Sequence, residues 1–167
     1  MPMYYARPLM LAALMLLGGC SALSPYSAQT RLEISLTGSD RLNPDLNGRP
    51  SPTVLRLMEL KHPATFKSVD FFSLYERARD VLAQDLVATE ELELRPGERV
   101  DLKLEFQPGS TYVGVLAAYR DLPEARWRYV IQLTPEALTR AEFTLDEAGL
   151  HRSDETVSRA GSYHERS

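Results

Sequence analysis

Residues 30–37, TRLEISLT, place Leu32, Ile34 and Leu36 on one side of the chain and Arg31, Glu33 and Ser35 on the other. This period of two marks a strand with one face buried and one in water. Similar patterns recur along the chain. Residues 54–60 (VLRLMEL) read as a second strand. Leu92-Glu93-Leu94-Arg95, the turn Pro96-Gly97-Glu98, and Val100, Leu102, Leu104 and Phe106 read as a hairpin. Residues 127–133 (WRYVIQL) alternate again, and residues 142–151 suit one last strand. Residues 111–119 (TYVGVLAAY) are almost all apolar, as in a central strand buried on both faces, where Gly114 marks a bulge or a close backbone approach. Short strands separated by turns, with no βαβ alternation, predict a mainly β chain folded as an antiparallel β-sandwich.

One segment breaks the strand period. Phe71, Leu74, Tyr75, Ala78 and Leu82 recur at three- and four-residue spacings, which predicts a helical insertion within residues 66–86. Ser68 or Asp70 suits its N-cap, and Ser73-Leu74-Tyr75-Glu76 fits a capping box one turn later, so two short helices fit as well as one. Thr134-Pro135-Glu136 has the order of an N-cap, a first-position proline and a first-turn acid, which predicts another short helix. Residues 38–53 (GSDRLNPDLNGRPSPT) gather three prolines and Asn47-Gly48. Loops this long in compact domains are usually functional or disordered.

The N-terminus carries a different message. Arg7 is the only charge before residues 9–17 (LMLAALMLL), and Leu17-Gly18-Gly19-Cys20 closes that apolar run. A run so short is about half of what a membrane-spanning helix needs and reads as a signal peptide. Leu-Gly-Gly-Cys resembles the bacterial lipobox, in which the cysteine is acylated and becomes the first residue of the mature protein. The expected organisation is a signal peptide (1–19), a lipidated tether (20–29), a sandwich domain (30–153) and a disordered tail (154–167). Ser21 rather than Asp after the cysteine favours the outer membrane. Cys20 is the only cysteine, so lipidation leaves none for a disulfide, a thiol nucleophile or a thiolate metal site. The chain has 167 residues and a net charge of −4, with no long basic run, which argues against nucleic acid as a partner.

The sequence offers little catalytic chemistry. His62, His151 and His164 are far apart and belong to no metal-binding pattern, and neither a nucleophile elbow nor a phosphate loop is present. Glu90, Glu91 and Glu93 read as the solvated face of a strand. No cofactor, metal or enzymatic activity is expected. Two rival readings remain open: a periplasmic sandwich lipoprotein for a hydrophobic or peptide ligand, and an envelope enzyme whose residues converge only in space.

Residues 112–121 (YVGVLAAYRD), followed by Trp127-Arg128, resemble the C-terminal signature of the TssJ/SciN lipoproteins of type VI secretion systems. The lipobox, Asn43-Pro44 leading to Ser51-Pro52, the Phe71-Phe72 insertion with Leu74-Tyr75, and Arg95-Pro96-Gly97-Glu98 match in order. The resemblance implies a transthyretin-like sandwich anchored to the outer membrane through the lipid on Cys20. It also implies that the domain binds the periplasmic C-terminal part of TssM, mainly through the loop between the first two strands. Within that loop Arg41, Leu42, Asn43, Asp45, Leu46 and Arg49 are the expected contacts, since exposed leucine beside Arg and Asn makes an apolar anchor with a hydrogen-bonding rim. The opposing possibility is that Leu42 or Leu46 tucks onto the sandwich. Tyr119, Arg120, Asp121 and Trp127 suit either a recognition patch at a strand end or a structural role, and the structural role is expected: Trp127 plugs the sandwich while Arg120 and Asp121 bond backbone at the turn.

Overall fold

The computed structural model describes residues 29–153. Cys20 and the segments expected to be a signal peptide and a disordered tail lie outside the described residues, as does the expected tether apart from Gln29. Eight strands form two four-stranded sheets: β1 (Arg31–Gly38), β2 (Thr53–Leu60), β3 (Leu86–Leu94), β4 (Arg99–Glu105), β5 (Tyr112–Ala117), β6 (Arg128–Gln132), β7 (Leu138–Asp146) and β8 (Gly149–Arg152). One sheet runs β4-β1-β7-β8 and the other β3-β2-β5-β6. The chain is the expected sandwich. All its pairs are antiparallel except one: β1 lies parallel to β7, with Ile34 opposite Ala141 and Leu36 opposite Phe143. A parallel pair needs a long connection, and here most of the domain supplies it.

The alternating residues behave as their period requires. Leu32, Ile34 and Leu36 are fully buried between the sheets with Leu55, Val113, Val115 and Phe143. β5 is covered twice. Val113, Val115 and Ala117 face the sandwich core, whereas Leu116 joins a second core with Met58, Leu60, Phe66, Phe71 and Leu74. That second core lies under α1 (Ala64–Ser68) and α2 (Phe71–Leu82). Gly114 marks the close approach: a Cβ there would sit 2.7–2.9 Å from the Phe66 ring. Of the two candidate caps, Asp70 starts α2, its carboxylate accepting the Ser73 N–H at 3.0 Å. The helix kinks at Arg77 (φ −131°, ψ 35°).

Four local expectations change. β3 and β4 do not form a hairpin. β3 pairs with β2 and β4 with β1, and the turn at Pro96-Gly97 carries the chain between sheets. The end of β1 holds that turn, since the Gly97 N–H donates to the Gly38 carbonyl and the Gly38 N–H to Glu98. Alternation says which face is buried but not which strand lies alongside. Thr134-Pro135-Glu136 forms a turn, not a helix, because β7 starts at Leu138; the Glu136 N–H donates to Thr30 Oγ1 at 2.9 Å. Residues 142–151 form parts of two strands, β7 and β8. Asp146 accepts the Ala148 and Gly149 N–H groups in the turn between them. Trp127 does not plug the sandwich. It is half-buried where the two cores meet, edge-on to Phe71 at 5.4 Å.

Candidate functional site at the loop end of the sandwich

β1 starts just after Gln29, at one end of the sandwich, and the β1–β2 loop closes the other end. This loop is stiff for local reasons. Leu42 points inward and is fully buried in the sandwich core, and the Ser51 N–H donates to its carbonyl at 3.0 Å. Asn43 takes a left-handed backbone (φ 45°), which Asn tolerates better than most residues. Its side chain clamps two loops together: Nδ2 donates to the Pro52 carbonyl at 3.0 Å, and Oδ1 accepts the Arg120 N–H at 2.9 Å. Asn43 is itself 3% exposed.

Beyond that clamp the chain makes a tight turn built on Asp45. Oδ1 accepts the N–H groups of Asn47 (2.8 Å) and Arg49 (3.0 Å), and Oδ2 accepts Arg49 Nε at 2.8 Å. Bonding of this kind favours the ionised form. The Arg49 main-chain and side-chain donors hold the Asp45 carboxyl below its ordinary value. The Gly48 N–H donates to the Asp45 carbonyl, and Gly48 supplies the positive φ of 75° that the turn needs. At its tip Leu46 is fully exposed. Arg41 reaches across to Glu147 in the β7–β8 turn at 3.0 Å.

Between this loop and the segment after β5 lies a cleft of about 510 Å³ whose walls include Pro44, Leu46, Tyr119, Arg120, Asp121 and Glu147. Tyr119 is buried, and its hydroxyl has no hydrogen-bond partner among the described residues. Burial, and then the charges of Asp146 and Glu147, push its phenol well above the ordinary range. Of the six residues expected to make contacts, Arg41, Leu46 and Arg49 are exposed and Asp45 half-buried, all on this end. Leu42 and Asn43 instead hold the loop from beneath, as the burial of any sizeable apolar side chain near a sheet end favours. Tyr119, Arg120 and Asp121, weighed as either a recognition patch or structural residues at a turn, form the facing wall of this cleft. Asn43 joins them to the loop through a bond to Arg120 that spans 77 positions, which no local sequence pattern reveals.

Elsewhere the charged groups stay dispersed. His62 pairs with Asp85 at 3.0 Å and His151 with Asp146 at 3.2 Å. Glu90, Glu91 and Glu93 lie along the solvent-facing stretch of β3. Among the described residues no group of three His, Cys, Asp or Glu is placed to hold a metal ion.

The model of the T6SS-SciN family, described as "Type VI secretion lipoprotein, VasD, EvfM, TssJ", matches residues 30–148. No curated protein sequence matches the chain. Among solved structures, the T6SS lipoprotein TssJ1 from Pseudomonas aeruginosa is 35% identical, with a TM-score of 0.72 over 74% of this chain and 95% of that one. Lip from Serratia marcescens, a membrane-bound component of the type VI secretion system, is 25% identical, with a TM-score of 0.69 over 74% and 96%. A chain in a structure described as the T6SS protein TssM C-terminal domain from EAEC shares the fold at 23% identity, with a TM-score of 0.62 over 74% and 97%. With one family model spanning both sheets and the loop end, this chain belongs to the type VI secretion lipoprotein family.

Proposed function

We propose that this protein is a non-enzymatic structural lipoprotein that anchors a secretion complex to the outer membrane. The lipid on Cys20 holds it in the inner leaflet, and the β1–β2 loop binds the periplasmic C-terminal part of TssM. The observation that carries this reading is Leu46: a fully exposed leucine on a turn locked by Asp45 and Asn43. An apolar anchor that is already ordered loses little conformational entropy on binding, and its ring of Arg41, Asp45 and Arg49 can form a polar rim. The occurrence of this fold in a structure described as the TssM C-terminal domain supports the choice of partner. Polarity supports it too. The described chain begins at Gln29 and enters β1 at Arg31, while the loop closes the opposite end, so a lipid tether at the first end leaves the loop facing the periplasm.

Calorimetry between the purified protein and the TssM periplasmic domain tests this. Leu46→Asp is expected to weaken binding by about 2 kcal/mol or more, roughly thirtyfold, with thermal unfolding unchanged. Replacing residues 44–49 by Gly/Ser, with Leu42 and Asn43 kept, is expected to abolish binding. Wild-type affinity in both variants would make the loop a connector and place the contact elsewhere.

A further inference from the structure

We infer that the open edge of β6 is a second docking surface, built to receive an extended acidic segment of a partner protein as an added strand. It does not depend on the reading of the β1–β2 loop. β6 ends the order β3-β2-β5-β6, and among the described strands none pairs with its outer side beyond Arg126, whose own N–H and carbonyl bond to Ala148 and Leu150. The ladder with β5 shows which groups face outward. The Trp127 carbonyl accepts from Ala117, and the Leu133 N–H donates to Thr111. In antiparallel pairing these contacts alternate, so residues 127, 129, 131 and 133 address β5. The main-chain N–H and C=O groups of Arg128, Val130 and Gln132 therefore face out.

The four sheet edges are protected unequally. β3 displays Glu90, Glu91 and Glu93, and β4 carries alternating charges at Arg99, Asp101, Lys103 and Glu105. β8 is four residues long. Short length and charge are the usual guards against strand addition. β6 reads RYVIQ, with no acid, no proline and three residues of high β-propensity.

The charge beside this edge selects the guest. A cleft of about 500 Å³ along β6 is walled by Lys67, Arg126, Trp127, Arg128 and Val130, three cations and no carboxylate. In a chain of net charge −4 that is a local inversion. Lys67, Arg126 and Arg128 have no carboxylate partner among the described residues, a state shared with cations outside this cleft such as Lys61 and Arg79, whereas Arg41, Arg49, Arg56, Arg95, Arg99, Lys103 and Arg140 are each paired. Arg128 is nonetheless fixed in place: it donates to the carbonyls of Phe66 (3.2 Å) and Val69 (2.7 Å) and lies over the Trp127 ring at 4.6 Å. A strand that pairs with residues 128, 130 and 132 and alternates carboxylates with small apolar side chains satisfies both the edge and the cations. Main-chain bonds provide affinity and alternate side chains provide specificity.

Trp127 is the only tryptophan in the chain and lines this cleft, so its fluorescence reports on occupancy. The full chain in phosphatidylcholine vesicles is titrated with a decapeptide alternating Glu and Val. A saturable change in Trp127 emission is expected, weakened at least tenfold by Lys67→Glu with Arg126→Glu at unchanged melting temperature. It should also be weakened at least tenfold when alternate peptide nitrogens are methylated, which removes donors without touching the protein. Equal binding of the methylated peptide, or of one with Lys in place of Glu, overturns strand addition by an acidic guest. A Trp127 response to phosphatidylglycerol in the vesicles, with none to the peptide, assigns the cations to lipid and overturns it as well. So does a tenfold gain in peptide affinity on deleting residues 154–167, which would make the chain's own end the natural occupant.

Discussion

Gly114 shows how one missing side chain can admit a neighbouring element. It sits in β5 opposite Met58 and Val130, and the Phe66 ring occupies the space a side chain would fill. Gly114→Ala should push Phe66 out of the helix-side core and cost on the order of 1–3 kcal/mol, seen as a lower denaturation midpoint. An unchanged midpoint would mean that the ring moves aside freely. The glycine itself was readable as either a bulge or a close approach, because its place in an apolar central strand needs one of the two. The residue it admits was not, since Phe66 lies 48 positions upstream on a different element. Leu42 and Asn43 illustrate the same limit. A leucine in a proline-rich loop looks like an anchor for a partner, but a loop crossing the end of a sandwich also needs an apolar plug and a polar clamp. Composition does not distinguish Leu42, which plugs, from Leu46, which projects.

At the scale of elements, the insertion between β2 and β3 is held by its cap and by a few cross-element polar contacts. Arg56 in β2 donates to the Tyr75 carbonyl, sits over the Tyr75 ring at 4.0 Å and pairs with Glu91 of β3 at 2.6 Å. The Asp70 cap makes a pH-dependent contribution. The Ser73 N–H holds the Asp70 carboxyl below its ordinary value of 3.8. A carboxyl depressed in the folded state stabilises the fold above its unfolded value, and that contribution is lost as pH falls through the folded value. Asp70→Ala should therefore lower the melting temperature at pH 7, with the gap to wild type narrowing once the pH drops below 3.8. Asp70→Asn, which caps without ionising, should keep much of its stability in acid. Equal gaps at pH 7 and pH 2.5 would show that the carboxylate charge contributes nothing to the cap. The cap and the amphipathic face were legible because helix signals are local. The β3–β4 connection was not: a Pro-Gly turn between two leucine-alternating strands suits a hairpin and a sheet-to-sheet crossing equally, and only the competing partners β2 and β1 decide between them.

At the scale of the molecule, the sandwich has a polarity with consequences for function. The chain enters at one end, and the loop, the cleft beside Tyr119 and the Arg41–Glu147 ion pair gather at the other. If the lipid on Cys20 is the anchor, Cys20→Ser should move the protein out of the outer-membrane fraction while leaving its affinity for the TssM periplasmic domain in solution unchanged. Leu46→Asp should do the reverse, staying with the membrane and losing the partner. Fractionation and calorimetry on the two variants separate anchoring from recognition, and a Cys20→Ser protein that remains in the outer membrane would refute lipid anchoring. From the sequence alone came the buried faces of the strands, the amphipathic insertion and the short motifs of the family, because each rests on residues a few positions apart. Tertiary structure alone decided which strands lie side by side, the parallel join of β1 to β7, the bond from Asn43 to Arg120 that turns two loops into one wall, and the unguarded edge of β6. Those depend on contacts between segments tens of residues apart, where several partners satisfy the same local pattern and only simultaneous packing of both sheets selects one.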